Sequence, residues 1–155
     1  FQNTNQKLLD YQTLRLKSLV EEIQKCCEHK QLYESKKLGL LSAELKCLML
    51  FNGERYLTVK RIAQRLEVAK SRVTIIIQGL IDKGLVDRIE DPHDSRIKLL
   101  SLTSLGTKKY QEITDFKVSL HKKILMHMVP DERKSVISYL ETLRSTMEAV
   151  KETMV

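Results

Sequence analysis

From Leu9 onward, Leu16, Val20, Ile23 and Cys27 recur at helical intervals with Lys and Glu between them, which predicts one long amphipathic helix over residues 6–36. A second helix is expected from Ser42 as N-cap, with Leu45, Leu48 and Met49 on its inner face and Cys47 on or beside it, ending near the turn dipeptide Asn52-Gly53. Thr58 reads as the next N-cap, followed by Ile62, Ala63 and Leu66 on one face of a short helix. After a break at Glu67-Val68, a helix over residues 70–83 carries the apolar stripe Val73, Ile76, Ile77 and Leu80, with Gly84 as its left-handed terminator. Leu85 to Glu90 and Arg96 to Leu102 are rich in Leu, Ile and Val and flank the turn-like Asp91-Pro92-His93-Asp94-Ser95, so they predict a β-hairpin. Thr103 caps a helix bearing Ile113, Phe116, Leu120 and Ile124, and Pro130 opens a last one.

Two short helices joined by a tight turn and followed by a hairpin, over Thr58 to Thr103, form a candidate winged helix-turn-helix. The fold class expected is mainly α with a small β-hairpin wing. In the last helix Val136, Leu140, Leu143, Met147, Val150 and Met154 alternate four and three apart, the spacing of a helix-helix seam. Neither that seam nor the first helix is fully covered by the small central unit. A second copy of both, in a twofold homodimer, is the simplest cover, and packing of the terminal helices on each other within a monomer is the alternative.

With 155 residues, the chain suits a single domain spanning 1–155, in which residues 6–36 and 104–155 are expected to supply dimerisation helices around the winged helix-turn-helix lobe at 38–103. Five Gly, two Pro and no repeat leave little room for flexible linker. Phe1-Gln2 resemble the tail of a protease-recognition linker and are set aside from the fold argument. Three cysteines, an odd number, fit a reducing cytoplasm better than a disulfide scaffold, and no apolar run approaches the length of a membrane helix.

Lys and Arg number 27 against 20 Asp and Glu, a formal net charge of +7, which favours a polyanionic partner only if the charge is well placed. It is concentrated on the motif. Between Arg55 and Arg72 stand Arg55, Lys60, Arg61, Arg65, Lys70 and Arg72 against the one acid Glu67. The second helix of such a motif enters the major groove of double-stranded DNA while the first crosses the backbone. Lys70, Ser71, Arg72, Thr74 and Gln78 are its polar positions: Arg72 suits guanine, Gln78 suits adenine, and Ser71 and Thr74 suit bases or phosphate. Lys60 and Arg61 suit phosphates. On the wing, Arg96 is placed to enter a narrow minor groove with Asp94 as its support, unless the two are a plain surface ion pair.

The residues Thr58-Val59-Lys60-Arg61-Ile62-Ala63-Gln64-Arg65-Leu66, Ser71-Arg72-Val73-Thr74, Lys83-Gly84-Leu85-Val86 with Arg88, Asp91-Pro92-His93-Asp94-Ser95-Arg96 and Leu102-Thr103-Ser104-Leu105-Gly106 together resemble the MarR family of transcriptional regulators. The resemblance implies a dimer joined by the first and last helices. It also implies recognition helices reading a palindromic operator, a wing arginine, here Arg96, in the minor groove, and by family habit a repressor. Two positions depart from the pattern. Ala69 stands where a capping Ser is frequent, and Ile75 where a polar or basic residue is common, so Ile75 either meets thymine methyl groups or packs inward.

Many members of that family answer to a small-molecule effector, to oxidation or to a metal. Cys26 and Cys27 lie on the first helix as redox cysteines of some relatives do, but tyrosines to partner them are absent from Leu41 to Phe51, so core packing is the expected role. Cys26 with His29 is at most a pair, so neither a metal nor a cofactor is expected. A pocket among the first, second and fifth helices is expected to take any effector, without an assignable residue. The four His are scattered and no catalytic pattern occurs, which argues against an enzyme. The alternative to a DNA reader is a winged-helix protein-interaction module.

Overall fold

The computed structural model describes residues 2–154; Phe1, set aside above with Gln2, lies outside them. The elements run α1 (Gln2–Leu38), α2 (Ser42–Met49), β1 (Leu57–Thr58), α3 (Val59–Leu66), α4 (Lys70–Asp82), β2 (Val86–Glu90), β3 (Lys98–Leu102), α5 (Ser104–Met126) and α6 (Pro130–Thr153). The fold is mainly helical with a three-stranded antiparallel sheet in the order β1-β3-β2. Two compact units divide the chain at Tyr110–Gln111, inside α5.

In the first unit the core is built from the stripes that periodicity marks. Leu45, Cys47 and Leu48 of α2, Ile62 and Ala63 of α3, and Val73, Ile76, Ile77 and Leu80 of α4 are buried, together with Leu57, Leu85, Val86 and Leu100 around the sheet. Thr58 caps α3 as expected, its hydroxyl accepting from the Arg61 N–H at 3.2 Å. Ser42 does not cap α2. The N-cap is Leu41, whose N–H donates to the Glu44 carboxylate at 2.9 Å, so the acid three residues into the helix satisfies the end from inside.

Gly84 stops α4 in the left-handed conformation, with φ +72°. Its N–H donates to the Ile81 carbonyl at 2.8 Å and that of Leu85 to Leu80 at 2.9 Å. Leu85 therefore belongs to the helix stop, and β2 begins one residue later than its apolar run implies. The other strand also starts late, at Lys98, because Arg96 and Ile97 are held in the turn: Ile97 donates to the Asp94 carbonyl at 3.0 Å and accepts from Asp91 at 3.1 Å. Leu57 and Thr58 pair with Leu100 and Leu99, making a third strand that the hairpin expectation did not contain.

Thr103 closes the base of the wing. Its hydroxyl accepts from the Gly106 N–H at 2.9 Å, capping α5, and donates to the Gly84 carbonyl at 2.6 Å. The wing is thus tied at its base to the end of α4 and the start of α5. Along α1, Leu8, Leu9, Leu16 and Ile23 stay about half exposed, and Cys26 and Cys27 are exposed too. The expected core packing of that cysteine pair is therefore not seen.

The second unit is the remainder of α5 with α6. Arg133 staples their turn by donating from Nε to the carbonyls of Leu125 and Met128 at 2.7 and 2.9 Å. On α6, Leu140, Met147, Val150 and Met154 are exposed.

Candidate nucleic-acid interface

The polar positions of α4 all lie outside its buried stripe: Lys70, Ser71, Arg72, Thr74 and Gln78 are exposed. A 3.6-residue period makes this unavoidable once Val73, Ile76, Ile77 and Leu80 face the core. Thr74 donates to the Lys70 carbonyl at 3.1 Å, leaving its oxygen lone pairs free to accept. Gln78 donates to Asp82 at 2.8 Å, so its amide is oriented along the helix while keeping its carbonyl oxygen and a second N–H. At Ala69, the N-cap of α4, no side chain bonds the helix end; the Arg72 N–H donates to the Ala69 carbonyl at 3.0 Å, which leaves those of Lys70 and Ser71 for an external acceptor.

Within the basic stretch the six cations are not equivalent. Glu54, one position before the stretch begins, accepts from Arg65 at 2.8 Å and from Arg61 at 3.2 Å. The hydrogen bond from Arg65, then the charge of Arg61, hold its carboxyl below the usual carboxylate range. A carboxyl lowered in the folded state contributes to stability above its ordinary value and loses that contribution as pH falls through the lowered one. Arg55 lies over the Tyr56 ring at 5.3 Å. Lys60, Lys70 and Arg72 make no ion pair among the described residues, and all three are exposed. The charge available to a partner therefore comes chiefly from these three. Arg61 keeps an exposed guanidinium but has an intramolecular claim on it.

The loop of the wing is organised by its two aspartates. Asp91 accepts from the N–H groups of His93 and Asp94 at 2.8 and 3.3 Å, forming the turn that Pro92 favours. Asp94 accepts from the Arg96 backbone N–H at 3.0 Å and from its Nε at 3.1 Å. The Arg96 side chain is nevertheless 90% exposed, an oriented cation at the tip. Below it, Lys98 and Glu90 pair across the register of β2 and β3, which holds the Glu90 carboxyl below its usual range.

α4 is joined to α2 by a group that pattern reading did not single out. Glu44 of α2 is buried and its carboxylate meets both the Lys83 ammonium at the end of α4 and the Leu41 N–H. Gly79 admits it: a Cβ there would stand 2.4 Å from Glu44 Oε1. An acid inside an apolar helix face, with a glycine and a lysine in a neighbouring helix, was the available signal.

The buried Cys47 thiol is pushed up to about 12 by burial, so almost none of it is thiolate near neutral pH. A thiol reagent is expected to modify Cys47 only on unfolding; labelling of Cys47 in the native protein at the rate of Cys26 would contradict this. Among the described residues no group of three or more His, Cys, Asp or Glu side chains is arranged to hold a metal ion, and no helix is long and apolar enough to cross a membrane.

Fold and exposed groups together define a winged helix-turn-helix protein. The model of the MarR family matches residues 38–97. The HTH-type transcriptional repressor MdtR of Bacillus subtilis (strain 168) is 30% identical over 130 residues, 84% of this chain and 81% of the relative. Among solved structures, the YusO protein from Bacillus subtilis aligns with a TM-score of 0.72 at 27% identity, covering 90% of this chain and 96% of that one. A mutant of S. aureus MepR aligns at 0.78 with 20% identity, over 83% and 96% of the chains. The complex of MepR with DNA aligns at 0.67 with 19% identity, over 82% and 96%. The chain belongs to the MarR family, whose members are transcriptional regulators and not enzymes.

Proposed function

We propose that the protein is a repressor that binds a palindromic operator as a homodimer, with α4 in the major groove and Arg96 in the minor groove. The observation that carries this reading is the combination on one lobe of unpaired Lys60, Lys70 and Arg72 with an oriented, exposed Arg96. A protein-interaction module has no comparable need for three uncompensated cations around an exposed helix. Ser71, Arg72, Thr74 and Gln78 address base edges, Lys60 and Arg61 address phosphates, and Asp94 keeps Arg96 aimed.

Dimerisation is supported by the apolar faces left bare on α1 and α6, each of which a second copy would bury. In this reading 1–155 acts as one functional protomer, with 38–103 as the DNA-binding lobe, working in the cytoplasm. Release by a small molecule has a candidate location in a cleft of about 590 Å³ lined by Phe51, Arg55, Tyr56, Ile89, Leu102 and Tyr110, whose occupant would press on the strands that carry the wing.

The test is selection of bound fragments from a pool of random duplexes, repeated with two variants. Arg72→Ala is expected to relax preference at one base pair per half-site, and Lys60→Ala to weaken all sequences evenly. Full operator binding by both variants at moderate salt would contradict the interface.

A further inference from the structure

We propose that Ile75 is a base-specificity residue whose side chain receives a thymine 5-methyl group in each operator half-site. This rests on the reading of α4 as the recognition helix. Of the hydrophobic residues of α4, Val73, Ile76, Ile77 and Leu80 are buried, whereas Ile75 is 72% exposed. It does not pack inward. Positions three and four away along a helix share its face, so Ile75 stands among Ser71, Arg72, Gln78 and Gly79.

That setting decides what can cover it. Lys70 and Arg72 charge the surface positively, and Asp82, the acid at the far end of α4, is occupied by Gln78. A purely apolar protein surface would leave those cations without partners, and a basic one would repel them. A polyanion that also offers a small apolar group satisfies both demands, and in the major groove the C5-methyl of thymine is that group. Arg72 and Gln78, on either side of Ile75, carry the hydrogen-bonding groups that suit guanine and adenine, so the three form one continuous reading surface. A β-branched residue with few χ1 options loses little on being buried there.

The experiment uses the full chain and an operator obtained by selection. Each thymine is replaced in turn by uracil, which removes the methyl group and keeps every Watson–Crick contact. At one thymine per half-site, uracil is expected to weaken wild-type binding about fourfold, and about fifteenfold when both half-sites carry it, the scale of one buried methyl group each. With Ile75→Ala that penalty disappears while uracil elsewhere has the same effect as in wild type, and Ile75→Val restores part of it. Ile75 is on the surface and Ala favours helix, so folding of the variant is secure. Indifference of the wild type to uracil at every position, or a full penalty retained by Ile75→Ala, would overturn the proposal while leaving operator binding intact. Failure to bind any duplex would instead overturn the DNA-reading function on which it rests.

Discussion

Gly106→Ala is expected to lower the stability of the winged lobe by about 3 kcal/mol or more, the upper range for overpacking a buried site. A Cβ at this position would stand 1.9 Å from the Leu85 carbonyl oxygen and 2.9 Å from its carbon. These are backbone atoms, and they are held: the same carbonyl accepts from the Thr103 N–H at 3.1 Å, while the Thr103 hydroxyl bonds Gly84 and Gly106. Nothing there can swing aside as a flexible side chain would. The spacing of Leu102-Thr103 to Gly106, and its pairing with Lys83-Gly84-Leu85, therefore have a steric cause. Gly53→Ala is the control. Gly53 has φ +69° but open space around it, so only the cost of the left-handed conformation applies, about 1 kcal/mol. Denaturant unfolding should separate the two variants by about 2 kcal/mol; equal losses would show that close approach at Gly106 is not limiting.

Loss of the Lys83 ammonium is expected to have the second large effect. With Lys83→Ala the buried Glu44 carboxylate keeps the Leu41 N–H but loses its cation. Breaking a fully buried pair costs about 3–5 kcal/mol. Lys83 is 40% exposed, so water makes up part of the loss, and about 2 kcal/mol is expected. Glu44→Gln removes the charge while keeping a side chain that fits against Gly79, so the double variant Glu44→Gln, Lys83→Ala should be less damaged than the sum of the singles. A coupling of about 1 kcal/mol or more in that cycle is predicted, and strict additivity would contradict the pairing. The pair joins α2 to the end of α4, so its loss is expected to loosen the proposed recognition helix as well.

Much of this arrangement was legible in the sequence because helical stripes are strongly periodic. Val73, Ile76, Ile77 and Leu80 leave the polar side chains of α4 no other face to occupy, and the cap at Thr58 and the stop at Gly84 follow from local chemistry. What was hidden depends on tertiary contacts. β1 is two residues long and exists only because Leu57 and Thr58 lie beside β3, and no alternation can mark so short a strand. Ser42 has the right residue type for a cap, yet Glu44 supplies the bond instead. Glu54 lies outside the basic stretch by one position, and only folding brings it to Arg61 and Arg65. Count alone overstated the free charge; Lys60, Lys70 and Arg72 carry it. The same holds for Ile75, which its type would send inward and its helical phase sends outward.

If this lobe binds DNA through its unpaired cations, as proposed, its affinity must depend steeply on salt. Affinity for a random-sequence duplex, followed by fluorescence anisotropy between about 50 and 200 mM salt, is predicted to fall linearly on a double-logarithmic plot, with a slope of about −0.9 for each phosphate neutralised. Removing Lys60 should make that slope shallower by about one. Affinity that does not change with salt, and is unaffected by Lys60→Ala, would contradict the account.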